Sequence, residues 1–416
     1  MAPEQGISPV VAALTAALGD AAVLHDAASR DYYANDVFWQ PGIEPLAIVS
    51  PDSEEAVAMA ARICSEHGAP MVPRGGGMSY TQGYLPSRGG AVVFDMRRMN
   101  RVIEIDPASR FVTVETGCTW AALSEALASH SMRSGYWGPL SGINATIGGA
   151  LSQNSAFFGS AKAGTLADSV IGLKLVLADG RSVTTGSASM QGVRPFTREG
   201  GPDMTGMFLG DSGAFGIKTQ ATLRLAPAPG AIDYLSFGFA TMAKMAATQV
   251  ELAEQELVSE GFGLDRTKVE HSASVNKITD GIRALANVAT SAKSLFKGAR
   301  DAIGIAAAGT AFLKEHNFTL HLVLEGRNAQ ELATSMAMAR KIGARHGVEI
   351  ENSIPKVMRA KPFGPVRGML GRDGERWVPI HGVFPLGETQ RVVAANEAYF
   401  AEQAEFMAQH GIILSV

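Results

Sequence analysis

The stretch Val72-Pro73-Arg74-Gly75-Gly76-Gly77-Met78-Ser79-Tyr80 constrains this chain more than any other. It continues the apolar run Pro70-Met71-Val72, which itself follows a segment of helical pattern. Three consecutive glycines have no Cβ, so the backbone there is free to take positive φ and to come against a ligand. Successive N–H groups in such a turn form an anion-binding nest, to which Arg74 adds charge and Ser79 a donor. Together these suit a pyrophosphate. No Gly-Lys-Ser/Thr closes the run, so it is not a P-loop, and it does not open a helix as a G-x-G-x-x-G fingerprint does. An ordinary Gly-rich solvent loop is the competing reading of the same residues.

The flanking chain bears on that choice. Residues 46–50 predict a strand, and Pro51-Asp52-Ser53-Glu54-Glu55 starts a helix with Asp52 as N-cap and Glu55 at the capping-box position. Ala56, Val57, Ala60, Ile63 and Cys64 form its apolar face, and Gly68 closes it. Met71-Val72 is then the next strand, with the Gly-rich loop at its C-terminal end, where open α/β sheets bind ligands. Upstream, Ser8-Pro9 followed by Val10, Val11, Leu14 and Leu18 predicts a capped helix ending at Gly19. Downstream, strands are expected at 91–94, 101–105 and 111–115, the last two joined by the turn Asp106-Pro107-Ala108-Ser109. Thr119 caps a helix through about Ala128, and a second Gly-rich region occupies 135–154. A strand at 169–178 turns at Asp179-Gly180, residues 208–217 lead into a strand ending near Leu225, and Pro227 with Pro229-Gly230 marks a boundary.

With 416 residues there is room for two or three domains, each with its own core. A net charge of −4 gives no electrostatic footprint for nucleic acid. The nine histidines show no H-E-x-x-H or comparable spacing, so no metal is expected. Cys64 and Cys118 lie far apart without a C-x-x-C pattern and read as small core residues in a reducing compartment. The N-terminus lacks the basic start and apolar core of a signal peptide, and no apolar run reaches the ~18–20 residues of a membrane span. A cytoplasmic location is the resulting expectation.

Four motifs, in order, carry a resemblance. They are P-x-G-G-G-x-S from Pro73; A-T-I-G-G-x-x-x-x-N from Ala145; G-T-x-A-D-S-V-x-G-L-x-x-V-L-A-D-G from Gly164; and G-x-S-G-x-F-G-I from Gly210. The stretch resembles the FAD domain of the vanillyl-alcohol oxidase / p-cresol methylhydroxylase (PCMH) superfamily over roughly 45–228. The resemblance implies an α+β fold: a PCMH-type FAD-binding domain of two subdomains over 45–228, after an N-terminal helical segment (1–44), and an α/β cap or substrate domain over 229–416. It places Pro73, Arg74, Gly75, Gly76, Gly77, Met78 and Ser79 on the FAD pyrophosphate. Ser141, Thr146, Gly148, Gly149, Ser152 and Asn154 would line the flavin-to-ribityl stretch, and Gly216 and Ile217 the adenine half. Thr165 and Asp168 are further candidates for that site, and Asp168 reads equally as an N-cap or strand-start residue. For the glycines, tight packing between subdomains is a second reading compatible with the first.

From about Ala231 the pattern changes to repeated β-α-β units, suggesting a sheet with helices on one face and agreeing with the superfamily's cap. Strands are expected at 234–239, 261–270, 319–324, 348–351, 377–386 and 412–416, and helices at 240–260, 328–346 and 388–410. The basic, small-residue stretch 280–313 suits either an amphipathic pair that lies on a membrane or docks an electron acceptor, or an ordinary solvated excursion.

An oxidised flavin accepts hydride from a C–H bond made hydridic by an adjacent oxygen, while the protein binds, orients and moves the proton. His381 is the candidate base, and Arg359, Arg367 and Arg376 are candidates for a carboxylate or phenolate partner. The H-x-G-D-G-N-x-H metal motif of the D-2-hydroxy-acid branch is absent, and 377–387 resembles the phenol-oxidising branch, whereas the FAD-domain motifs resemble the hydroxy-acid branch. The expected function is FAD-dependent oxidation of a hydroxylated small molecule, a 2-hydroxy acid such as D-lactate. A para-substituted phenol or aryl alcohol is the alternative substrate class, and a non-catalytic flavin scaffold the alternative of another kind. Relatives that tether their flavin use His or Tyr either beside the pyrophosphate loop, where this chain has Met78 and Tyr80 around Ser79, or on the cap strand, where it has Arg376 or Trp377. Neither arginine nor tryptophan is a nucleophile toward the flavin methyl group, so FAD is expected to be held non-covalently, with Tyr80 and His381 the residues that would overturn this.

Overall fold

The computed structural model describes residues 7–37, 43–267, 316–364 and 380–414. The chain divides into two compact units, 1–228 and 229–416.

The first unit begins with α1 (Pro9–Leu18), whose Pro9 sits at the first helical turn, where its missing N–H is not needed. Val10, Val11 and Leu14 go into the core against Val57, Ala60 and Cys64 of α3 (Glu54–Glu66). Between these helices lie β1 (Val23–Leu24), α2 (Ala27–Tyr33) and β2 (Ala47–Val49). The start of α3 departs from expectation: Ser53, not Asp52, is the N-cap, its hydroxyl accepting from Ala56 N–H at 3.2 Å. The Asp52 carboxylate is drawn instead to Arg98 at 2.7 Å. β3 (Met71–Arg74) and β4 (Val92–Asp95) complete a sheet of order β1-β2-β4-β3, in which β2 and β3 both run parallel to β4. β2-α3-β3 is therefore a crossover unit, and the Gly-rich loop hangs from the C-terminal end of β3.

A second sheet in this unit comprises β5 (Val102–Asp106), β6 (Phe111–Glu115), β7 (Met132–Ser134), β8 (Val170–Val176), β9 (Ser182–Thr184) and β10 (Ile217–Pro227). Its order is β5-β6-β10-β8-β9, with β7 also on β10, and every pairing is antiparallel. The turn between β5 and β6 forms as expected, with Asp106 Oδ1 accepting from Ser109 N–H at 2.8 Å. α4 (Trp120–Ala128) is capped by Thr119, and α5 (Ile147–Gln153) by Thr146. Cys64 and Cys118 are buried free thiols, and burial pushes them up to about 12 and about 11.

The second unit contains β11 (Ala231–Phe239), α6 (Met242–Glu254), β12 (Glu260–Asp265), β13 (Phe318–Gly326), α7 (Ala329–His346), β14 (Val348–Ile350) and α8 (Ser353–Ala360), followed by α9 (Thr389–Glu402). The β-α-β rhythm suggests an α/β cap with a sheet and helices on one face, and α6 and α7 do pack on one face. The sheet is fully antiparallel, of order β12-β13-β11-β14, because β13 inserts between β11 and β12. This is a split βαβ arrangement. Leu235, Phe237 and Phe239 alternate onto the face that packs with Met245 and Leu252 of α6 and Met336 and Ile342 of α7. Burying such side chains contributes roughly 1.5–3 kcal/mol each. α8 contacts β11 and β13, and its Arg359 pairs with Glu260 and Glu325 on the opposite, polar face of the sheet.

Two other expectations fail here. Residues 380–385 are irregular rather than strand, and 412–414 form no strand. Residues 280–313, Arg367 and Arg376 lie outside the described residues.

Candidate cofactor-binding site

The site lies in the first unit, where three glycine-containing segments converge. A Cβ on Gly75 would lie 2.1 Å from Thr146 Oγ1, and one on Gly76 would lie 1.8 Å from the Asn144 carbonyl oxygen. The first Gly-rich loop is thus pressed against 144–146. Gly213, at φ +80°, has its Cβ position 2.8 Å from Pro73 Cγ, so the third segment lies against the start of the first. Gly210 N–H and Ser212 N–H donate to the Leu151 and Ser152 carbonyls at 2.9 and 2.8 Å, tying the third segment to α5.

The two sides of the loop 75–79 are used differently. Its carbonyls of Gly77 and Ser79 both accept from the Tyr84 hydroxyl, each at 2.9 Å. Among the described residues, no protein acceptor meets the main-chain N–H groups of Gly75, Gly76 and Gly77. Three successive donors without a protein partner fit an oxyanion-rich group such as a diphosphate. The segments also expose apolar side chains: Leu140, Ile143 and Phe215 are 45%, 40% and 60% accessible. A cofactor with both a diphosphate and a flat apolar ring fits that combination of donors and exposed apolar surface.

The individual residues divide into two groups. Arg74 is buried, its Nη1 donating to the Tyr33 and Asn35 carbonyls at 3.2 and 3.3 Å, so its guanidinium is committed to the fold. Ser79 Oγ lies 2.9 Å from Thr81 Oγ1 and Met78 is half-buried. Thr146 is the buried N-cap of α5, its Oγ1 accepting from Gly149 N–H at 3.3 Å. Gly148 donates to Thr116 O at 2.8 Å, and its Cβ position meets Thr116 Cβ at 2.8 Å, so its smallness serves packing against the strand above. Ser152 Oγ accepts from Lys218, and Asn154 takes a left-handed conformation while its Oδ1 accepts from Ala167 N–H at 3.0 Å. Gly216 packs under Leu175, with its Cβ position 2.8 Å from Leu175 Cδ1, and Ile217 is buried. Ser141 opens a turn, its backbone carbonyl accepting from Asn144 N–H and Ala145 N–H. Asp168 is not itself an N-cap but stands at the third position of the short turn Leu166–Ser169 that Thr165 caps, its Oδ2 accepting from Thr165 N–H at 2.7 Å and Thr165 Oγ1 at 3.0 Å.

A profile described as an FAD binding domain matches residues 45–186. Glycolate oxidase subunit GlcD of Bacillus subtilis is 34% identical over 204 residues, 49% of this chain and 41% of that protein. D-lactate dehydrogenase [cytochrome] 1, mitochondrial, of Saccharomyces cerevisiae is 30% identical over 229 residues, 55% of this chain and 38% of that protein. The structure of p-cresol methylhydroxylase superposes with a TM-score of 0.67 at 19% identity, covering 86% of this chain and 70% of that one. Residues 45–186 thus match the FAD-binding family, and the fold is that of p-cresol methylhydroxylase. The cofactor of this chain is FAD. Alkyldihydroxyacetonephosphate synthase has the same fold, with a TM-score of 0.64 at 18% identity over 85% of this chain and 63% of that one. The match to the two curated relatives spans about two fifths of their own length.

In the second unit of this FAD-linked protein, His381 is an exposed residue of the irregular stretch after 380 rather than a strand residue. Arg359 is held between Glu260 and Glu325, at 2.6 Å from the latter, which balances its charge within the sheet. A histidine that no motif singled out is His321 on β13. It is fully buried on the polar face, with Nδ1 2.8 Å from Ser236 Oγ and Nε2 3.0 Å from Thr319 Oγ1. Thr319 Oγ1 donates to the Leu264 carbonyl at 3.4 Å, which assigns the His321 proton to Nε2 and makes Nδ1 the acceptor from Ser236. Burial lowers its pKa to about 3, so the ring is neutral. Only the alternation of Ser236, Thr319 and His321 with Leu235, Leu320 and Leu322 marked this face, and that pattern is visible once the pairing partner is known. Among the described residues no cluster of three metal-ligating side chains occurs, and no helix is long and apolar enough to cross a membrane.

Proposed function

We propose that this chain is the flavin-bearing part of an FAD-dependent dehydrogenase or oxidase that takes hydride from a 2-hydroxy acid, with D-lactate and glycolate as the leading substrates. The observation that carries the cofactor half of this reading is the row of N–H groups at Gly75, Gly76 and Gly77 that meet no acceptor among the described residues. The substrate half rests on the relatives named for glycolate and D-lactate, which match the chain at 34% and 30% identity. When bound, FAD supplies the hydride acceptor. The protein's own part is to grip the diphosphate with those N–H groups, and to keep the three glycine segments locked together through Thr146, Pro73 and Ser152. The test is an anaerobic screen of the purified chain with D-lactate, glycolate, 2-hydroxyglutarate and para-alkylphenols, read as bleaching of the flavin band. Bleaching by a hydroxy acid and not by a phenol is expected. Bleaching by phenols alone would move the substrate to the other branch, and none by any would leave a flavin-binding scaffold.

A further inference from the structure

Arg74 opens the loop that faces the diphosphate, yet its guanidinium turns into a cage of aromatic rings. Its Cζ lies 4.8 Å from the Tyr33 ring centre, 4.7 Å from that of Tyr84 and 5.5 Å from that of Tyr32. Two of these tyrosines, and both carbonyls that accept from Arg74, belong to residues 32–35, upstream of the matched FAD-binding domain at 45–186. The same upstream segment reaches the far end of the loop, where Asp36 Oδ2 accepts from Gln82 N–H at 3.1 Å. Tyr33 is in turn fixed by its hydroxyl to Asp95 and receives a hydrogen bond from Arg97 at 2.7 Å.

We propose that residues 32–36 and Tyr84 form a clamp that sets FAD affinity without touching FAD. The clamp holds the loop by its entrance at Arg74, by its carbonyls at Gly77 and Ser79, and by its exit at Gln82. None of these attachments uses the main-chain N–H groups of Gly75, Gly76 and Gly77. Gly77 contributes by being small: at φ +66°, its Cβ position lies 2.8 Å from Arg74 Nη2, so no larger residue fits over the caged guanidinium. A loop held in this way loses less conformational freedom when an anion binds, and that saving appears as affinity. These are positioning residues. The inference rests on the reading of the loop as the diphosphate site.

The test uses full-length apoprotein titrated with FAD and with riboflavin, which lacks any phosphate, following flavin fluorescence. Tyr84→Phe keeps the ring over Arg74 and removes only the hydroxyl that holds the Gly77 and Ser79 carbonyls. Its FAD Kd should rise roughly tenfold, the scale of one lost hydrogen bond. Its riboflavin Kd and the apoprotein Tm should not move. Asp36→Ala, which is at the loop's exit, should act in the same direction and serves if Tyr84→Phe does not fold. If either folded variant weakens FAD and riboflavin equally, or binds FAD as the wild type does, the clamp is refuted. If the wild type itself binds FAD no better than riboflavin, the diphosphate reading fails instead.

Discussion

Lys218 Nζ lies 2.6 Å from Asp211 Oδ1, with the two side chains only 3% and 1% exposed. The ammonium also donates to Ser152 Oγ at 3.1 Å, and Asp211 accepts from Gly213 N–H at 2.9 Å, so a single buried pair joins β10, α5 and the third glycine segment. Burial lowers the Lys218 pKa, and the Asp211 carboxylate beside it acts in the opposite sense.

Asp211→Ala removes the only carboxylate that the described residues place on this ammonium. Breaking a buried pair from one side costs about 3–5 kcal/mol. Urea unfolding should show a loss of that order, with flavin content falling as the segment loosens. A loss under about 1 kcal/mol would mean that water reaches Lys218.

Gly213 and Gly192 both have positive φ, at +80° and +76°, but only Gly213 has a neighbour, Pro73, within 4 Å of its Cβ position. Alanine at either position incurs a left-handed backbone penalty of about 1–2 kcal/mol. Gly213→Ala should in addition displace Pro73 and lower FAD retention on gel filtration, whereas Gly192→Ala should retain full flavin. Equal retention by the two variants would separate the third segment from the cofactor site.

The neutral His321 makes the second unit acid-sensitive. Above about pH 6.5 the ring is uncharged in both folded and unfolded chains; between there and about 3 only the unfolded chain binds the proton. Stability is therefore retained at high pH and lost as pH falls, by up to about 1.4 kcal/mol per pH unit in that window. His321→Gln should be less stable than wild type at about pH 7.5, and the gap should narrow at about pH 5 by up to roughly 2 kcal/mol. A gap that does not change with pH would show that the folded protein takes up the proton as readily as the unfolded chain.

FAD should be released without a covalent remnant. The residues flanking Ser79 are Met78 and Tyr80, and burial raises the Tyr80 phenol, which disfavours the phenolate a tether needs. Acid precipitation and centrifugation should leave the yellow colour in the supernatant. A yellow pellet that survives washing would identify a tether.

Local chemistry was legible wherever one or two residues decided the outcome. Thr119 capped its helix and Asp106-Pro107-Ala108-Ser109 made its turn, because the hydrogen bonds involved span three residues. Ser53 displaced Asp52 as cap because Arg98, remote in sequence, claimed the carboxylate. The strand order of the cap sheet was not legible for a similar reason. Its β-α-β rhythm is local, whereas the pairing of Ala231–Phe239 with Phe318–Gly326 that splits it is not. The glycine motifs mark a place where chain segments meet closely. Gly75, Gly76 and Gly148 are small toward Thr146, Asn144 and Thr116, so the missing side chains serve the protein, and of these three only Gly75 and Gly76 keep an N–H that no described residue accepts. The tyrosine cage around Arg74 left no motif, since Tyr32, Tyr33 and Tyr84 meet only after folding.

The interlock of Gly75 and Gly76 with Thr146 and Asn144 has a consequence for how such a domain can be rebuilt. Neither segment can be exchanged alone. A chimera that takes 141–154 from a relative inherits a backbone shaped to another protein's glycine loop, and a contact as tight as a missing Cβ allows no slack to absorb the difference. Grafts should succeed when 73–79 travels with 141–154, and fail as single-segment swaps even between similar donors. Two pieces of chain far apart in sequence thus behave as one heritable part.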